Sequence, residues 1–142
     1  MCYRDASLSF ESIHIACLCG NNGNGKSALL DAMTWALWGK ARAKTDDELI
    51  TLGQTDMEVV CECAVGGERY RVVRKRSKAK GRRVGQSLVD FQIASGDGFR
   101  PISGESIRET EAKIIATLRM DYDTFINSAY LVQGRADEFT KK

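Results

Sequence analysis

The sequence predicts an α/β domain in which a strand ends in a phosphate-binding loop and opens into a helix, followed by an antiparallel β meander and a C-terminal helical segment. Three observations carry this reading. Gly20-Asn21-Asn22-Gly23-Asn24-Gly25-Lys26-Ser27 is a complete G-x-x-x-x-G-K-[ST] loop, preceded by the nearly all-apolar run Ile13-His14-Ile15-Ala16-Cys17-Leu18-Cys19. Met57, Val59, Cys61, Cys63 and Val65 alternate with Glu58 and Glu62 before Gly66-Gly67 turns the chain. Ser106-Ile107-Arg108-Glu109 has the spacing of a capping box.

Along the chain, Ala6, Leu8 and Phe10 alternate with Ser7 and Ser9 as a half-buried strand, and a turn at Glu11-Ser12 leads into a buried antiparallel strand, Ile13 to Cys19. From Lys26 the period becomes helical, with Leu29, Leu30, Met33, Ala36 and Leu37 on one face and Trp35 and Trp38 in the core. Gly39 can supply a left-handed cap, while Lys40 and Arg42 suit the negative helix end. Asp46-Asp47-Glu48 reads as a polar connection. The hairpin after Met57 returns over Glu68 to Lys75, has a Lys/Arg/Gly tip at Ser77 to Gly85, and continues as a third strand, Leu88 to Ala94, before the turn Ser95-Gly96-Asp97-Gly98. Ile107, Ile114, Ile115 and Leu118 fall on one side of the next helix; a short helix covers Tyr122 to Ser128, and Tyr130-Leu131-Val132 is a brief strand ending on Gln133-Gly134.

With 142 residues and 43% hydrophobic content, the chain is one domain's worth and can bury a core without staples. The net charge of +2 hides a segregation, because Arg69 to Arg83 holds nine Lys/Arg and no acid, which disfavours basic partners and leaves acidic ones open. Cys17/Cys19 and Cys61/Cys63 have strand spacing that puts each pair on one face, and they read as reduced core thiols; a zinc site would want C-x-x-C pairs or a partnering histidine, and His14 lies in the buried strand. No run reaches the ~18 apolar residues of a membrane span, and no signal peptide is visible, so the expectation is a soluble, cytoplasmic protein with no membrane partner.

The loop determines the chemistry. Its glycines let backbone N–H groups point at phosphate oxygens, Lys26 neutralises β/γ charge, and the Ser27 hydroxyl can ligate Mg²⁺, with the helix N-terminus adding its positive end. The expected cofactors are ATP and Mg²⁺. Hydrolysis also needs an acid for Mg²⁺ and a residue that positions water. Leu88-Val89-Asp90 has too short an apolar run for that, and Glu62 in Val59-Val60-Cys61-Glu62 belongs to an amphipathic strand. Ile102-Ser103-Gly104-Glu105 only superficially matches an S-G-G-[QE] signature and is better explained as a loop and helix cap. No catalytic residue is therefore assigned, and the chain should bind ATP but hydrolyse it poorly alone.

Gly20 to Ala32, then Trp35-Ala36-Leu37-Trp38-Gly39-Lys40-Ala41-Arg42, Asp47-Glu48-Leu49-Ile50 ahead of Gly53, and Tyr130-Leu131-Val132-Gln133-Gly134-Arg135-Ala136-Asp137-Glu138-Phe139 resemble the N-terminal ATPase lobe of SbcC-type DNA double-strand-break repair ATPases, SMC-like relatives of ABC transporters. The resemblance implies an ABC-type N-terminal lobe over residues 1–142, with the coiled coil, signature and acidic pair lying in sequence outside it. It further implies that Asn22, Gly23, Asn24, Gly25, Lys26, Ser27 and Ala28 hold the phosphates and that Ser27 and Gln133 order Mg²⁺. Implied partners are the C-terminal lobe, a second head on ATP binding, an SbcD-type nuclease and double-stranded DNA, in a nucleoid setting if the source is bacterial. The family usually opens with a strand ending in Asn-Phe-Arg ahead of Cys2-Tyr3, and commonly has proline where Asn21 stands.

The basic hairpin has two readings: Arg74, Arg76, Lys78, Lys80, Arg82 and Arg83 contact DNA phosphates, or they are solvated charges that guard a sheet edge. Two functional alternatives also stand beside the repair-ATPase reading. One is an SMC- or RecN-like head; the other is a self-sufficient P-loop kinase, which predicts turnover by this chain alone.

Overall fold

Four antiparallel strands in sequential order form the sheet, and two helices cover one of its faces. The structure is a computed structural model and describes residues 3–21, 23, 25–78 and 84–128. Its elements are α1 (Lys26–Trp38), α2 (Asp46–Leu49), β1 (Asp56–Val65), β2 (Glu68–Ser77), β3 (Gln86–Ser95), β4 (Gly98–Pro101), α3 (Ile107–Leu118) and α4 (Tyr122–Ser128).

The meander follows from alternation. Residues two apart on a strand share a face, and the register sets Cys61 opposite Val72, Val72 opposite Phe91, and Val59 opposite Arg74. That face receives α1 and α3: Val72, Phe91 and Ile114 form the buried cluster, with Leu37, Tyr70, Ile102 and Leu118 packed against it. On the opposite face Glu62 lies across from Arg71, and Glu58 across from Lys75, both as ion pairs. β4 was not expected, since four residues are too few to display alternation; it extends the sheet at its edge, where Pro101 needs no ladder donor. Asp46–Leu49, read as a polar connection, forms one helical turn.

α1 ends as its sequence suggests. Gly39 adopts φ 65° and donates its N–H to Trp35 O at 2.8 Å. Trp35 and Trp38 are buried, and the Trp38 indole donates to Met120 O while its ring meets Tyr122 and Phe125 of α4. Lys40 and Arg42 serve other partners than the helix end: Lys40 lies over the Tyr122 ring, and Arg42 forks onto Asp31 at 2.8 and 3.0 Å. On α3, Ser106 Oγ accepts from Glu109 N as the capping box requires, while the Glu109 carboxylate takes the N–H of Glu105. The apolar stripe of α3 is narrower than its spacing implied: Ile114 and Thr110 are buried, but Ile107 and Ile115 are each 38% exposed. Ile102-Ser103-Gly104-Glu105 is indeed loop and cap. Ser103 Oγ accepts from Phe91 N and donates to Asp90, and a Cβ on Gly104 would come within 2.4 Å of Glu109 Cβ.

The two N-terminal strands are a correction. Residues 6–10 and 13–19 form no ladder, and Leu8, Phe10, Ile13, Ile15 and Leu18 are exposed. The turn between them is present, with Ser12 at φ 62° and Ile13 N donating to Phe10 O. The physical reason is that a strand exists only through backbone hydrogen bonds to a neighbour, and none of the described sheet strands pairs with this segment. Cys17 and Cys19 are accordingly exposed and His14 is not buried, contrary to the core reading.

Phe91 is the largest apolar ring shared by the sheet and α3, 1% exposed and stacked on Tyr70 at 5.6 Å. Phe91→Ala is expected to lower unfolding free energy by about 3–5 kcal/mol, measured as a shifted urea midpoint; a loss below ~1 kcal/mol would mean that this cluster does not hold the fold together.

Candidate nucleotide-binding site

The loop bends where its glycines permit. Gly20, Gly23 and Gly25 have φ of 150°, 89° and 81°, and a Cβ on Gly23 would meet nothing within 4 Å, so what requires glycine there is the backbone conformation and not crowding. Gly25 is the N-cap of α1, and its carbonyl accepts from Leu29 N at 3.1 Å. Among the described residues no side chain caps the helix, and no acid lies in its first turn. An amphipathic helix would ordinarily satisfy those orphan amides with Ser, Thr, Asp or Asn; here they are left to an external acceptor, the arrangement that favours an anion.

Lys26 folds back over the loop. Its ammonium donates to Gly20 O and, at 2.8 Å, to Asn21 O. An ammonium has three N–H donors, and these two bonds set Lys26 beside the loop's first residues. Gly23, Gly25, Lys26, Ser27 and Ala28 are thereby gathered at one end of α1. Asn22, Asn24 and Gln133 lie outside the described residues.

The residues behind the loop are those that sequence reasoning undervalued. Asp31, one turn on from Ser27, holds Arg42 in a two-pronged ion pair and also takes the Arg42 N–H, binding the segment after α1 back onto the helix. Trp35 donates its indole N–H to Asp46 of α2. The signal for the first tie was present as one acid within the helix and one arginine beyond its end, but pairing across a chain reversal has no fixed spacing.

The basic run is largely neutralised inside the fold. Among its described members, Arg69 and Arg71 pair with Glu62, Arg74 with Glu111, Lys75 with Glu58, and Arg76 with Asp47. Two arginines hold the Glu62 carboxyl below its ordinary range, Arg71 most strongly. Arg74 and Arg76 correct the sequence reading: Arg74 is 4% exposed and cannot reach a DNA phosphate, and Arg76 is spent on Asp47 and Ser87. Both point to the helix-bearing face because strand period 2 places them with Val72. Lys78 follows the end of β2, and Lys80, Arg82 and Arg83 lie outside the described residues.

Neither acid considered for hydrolysis is free for it. Glu62 is engaged as above, and Asp90 accepts from Ser103 and Gln92. Among the described residues no group of three or more His, Cys, Asp or Glu could hold a metal ion, and no helix is long and apolar enough to cross a membrane. Cys17 and Cys19 bring their sulfurs to 3.3 Å in the open, whereas Cys61 and Cys63 face the helices from β1.

With this geometry in view, the sequence profile of the AAA domain family matches residues 1–142. The chain belongs to the AAA domain family. It is 34% identical over 132 residues to the SbcC component of the nuclease SbcCD of Deinococcus radiodurans, covering 90% of this chain and 14% of that protein. It is 31% identical over 139 residues to the DNA double-strand break repair Rad50 ATPase of Halobacterium salinarum, covering 96% of this chain and 15% of that one. A Rad50 ATPase of Methanocaldococcus jannaschii is 27% identical over 135 residues, 95% of this chain and 12% of that protein. The chain thus spans about a seventh of the length of the first two of these relatives. The AAA domain is SbcC- and Rad50-like, as the loop and its flanks suggested, and its sheet and helices fit the N-terminal lobe of an ABC/SMC-type ATPase.

Burial pushes the Cys61 thiol from its ordinary 9.0 up to about 11, with Cys63 and Glu62 adding to it. The folded state therefore keeps a proton that the unfolded chain releases, and this contribution to stability is present below pH 9 and lost as pH rises toward 11. Urea midpoints measured across this window should fall more steeply in the unaltered chain than in Cys61→Ala; identical slopes would place Cys61 in water.

Proposed function

We propose that this chain is the ATP-binding lobe of a DNA double-strand-break repair ATPase whose nucleotide site is completed by a C-terminal lobe. One observation supports the reading: a loop of positive-φ glycines delivers Lys26 and Ser27 to a helix N-terminus that, among the described residues, has neither a capping side chain nor an acid in its first turn. These residues fit a Mg²⁺-nucleotide. Gly23, Gly25 and Ala28 would present backbone N–H groups to the phosphates together with Asn22 and Asn24, Lys26 would neutralise charge, and Ser27 and Gln133 would hold Mg²⁺. Bound Mg²⁺-ATP would supply the phosphoanhydride whose cleavage drives the head. This chain's own part is to bind and orient, because Glu62 and Asp90 are occupied elsewhere.

The similarity to proteins named for SbcCD and Rad50 supports a wider reading. A second head closes over ATP in a homodimer, an SbcD-type nuclease is the partner, and double-stranded DNA is the substrate held by the complex in the cytoplasm or nucleoid. In this reading Lys78, Lys80, Arg82 and Arg83, which lie in sequence between β2 and β3, bind DNA phosphates, since Arg74 and Arg76 are held in internal pairs.

Lys26→Ala should weaken Mg-ATP binding about 10- to 100-fold, the loss of a charged hydrogen bond, while circular dichroism stays unchanged. Unchanged affinity by titration calorimetry would overturn the role of the loop. Replacing Lys80, Arg82 and Arg83 by alanine should weaken duplex DNA binding and reduce the slope of log K against log salt by about 2–3; an unaltered slope would leave the tip as edge protection only.

A further inference from the structure

α1 bears the phosphate loop at one end, and at the other its backbone is held by a single buried side chain. Arg74 Nε donates to Ala36 O at 3.1 Å, a carbonyl in the last turn of α1 that has no helical donor of its own. The guanidinium lies over the Trp35 ring at 5.7 Å and sets Nη2 at 2.9 Å from Glu111 Oε1 of α3. Gly39 makes room for this: a Cβ there would stand 2.8 Å from Glu111 Oε1 and 2.9 Å from Arg74 Nη1. The indole of Trp38 is also tied to Met120 O, but Arg74 is bonded to the helix backbone itself.

We propose that Arg74, held by Glu111, is a positioning residue for the phosphate loop: it fixes the axial position of α1 against β2 and α3, and hence where Lys26 and Ser27 meet a phosphate. The inference rests on the nucleotide reading of that loop. A helix is stiff along its axis and rises about 1.5 Å per residue, so Ala36 is about 15 Å from Lys26 and a shift at one end appears undiminished at the other. Phosphate recognition by backbone amides tolerates little error, of order 0.5 Å. Arg74 is suited to the task by its planar guanidinium, which directs Nε at the Ala36 carbonyl while its charge faces Glu111; a lysine ammonium on a flexible stem reproduces the charge without that geometry.

The test is Mg-ATP affinity by titration calorimetry for the unaltered chain, Arg74→Lys, Glu111→Gln and the control Lys75→Ala, which removes an exposed ion pair with Glu58 on the sheet face away from α1. It is done below the melting temperature of each, with circular dichroism checking the fold. Arg74→Lys and Glu111→Gln should weaken binding about fivefold with unchanged circular dichroism, the size expected for coupling through a packed network, and the control should bind as the unaltered chain does. In a Trp38→Phe background Trp35 is the one remaining tryptophan, and its emission should respond to Mg-ATP when Arg74 is present and stay unresponsive once Arg74→Lys is added. If Arg74→Lys does not fold, Glu111→Gln decides the matter, since its side chain is 30% exposed. Folded variants that bind Mg-ATP as tightly as the unaltered chain would overturn the positioning role and leave the nucleotide reading intact; an unaltered chain that does not bind Mg-ATP would overturn both.

Discussion

A guanidinium taken out of water is the constraint around which this domain is arranged. Arg74 is 4% exposed, and an unpaired buried charge costs several kcal/mol. Burial pushes its pKa down, opposed by Glu111 and Asp46. Glu111 Oε1 is close to Nη2 but off the line of its N–H, so that contact is mainly coulombic, while Nε has the better directed bond to Ala36 O. The charge thus requires α1, β2 and α3 to meet at one point. Gly39, the left-handed end of α1, is the residue small enough to let them do so. Apolar packing of Val72, Phe91 and Ile114 supplies the drive to close the sheet on its helices; the arginine specifies where they close.

Much of this was legible in the residues. The glycine bends ahead of α1, the Gly39 cap, the three long strands and the Ser106 cap each rest on local chemistry, where the groups involved lie within a few positions of one another. The N-terminal strands were not safely legible for the opposite reason: alternation at Ala6 to Phe10 and the apolar run at Ile13 to Cys19 state which faces could be buried, but pairing needs a neighbour that the pattern does not name. β4 escaped notice because it is short, and α2 because Asp46-Asp47-Glu48 carries no apolar period until Leu49.

The basic run shows the same limit in electrostatic form. Nine Lys/Arg without an acid look like a binding surface when counted along the chain. In three dimensions the carboxylates come from β1, α2 and α3, and period 2 sends Arg74 and Arg76 inward while Arg71 and Lys75 go outward. Arg71 lies 3.8 Å from the centre of the Phe99 ring, so even an outward arginine is partly employed by the strand that was not foreseen. Charge density in sequence is thus a poor measure of charge offered to a partner.

The distances in sequence between the groups that enclose Arg74 carry a consequence for how the domain assembles. β1 pairs with β2 and β3 with β4 across two-residue turns, and β2 with β3 over residues 78–85, whereas Arg74 and Ala36 are 38 residues apart, and Trp38 and Met120 are 82 apart. Local pairings close cheaply and quickly, and distant ones carry the loop entropy. The guanidinium can give up its water only when both the helix end and the glutamate have arrived. Pairing the strands therefore requires little loop closure, whereas docking the helices carries both the longer loop closure and the desolvation of Arg74.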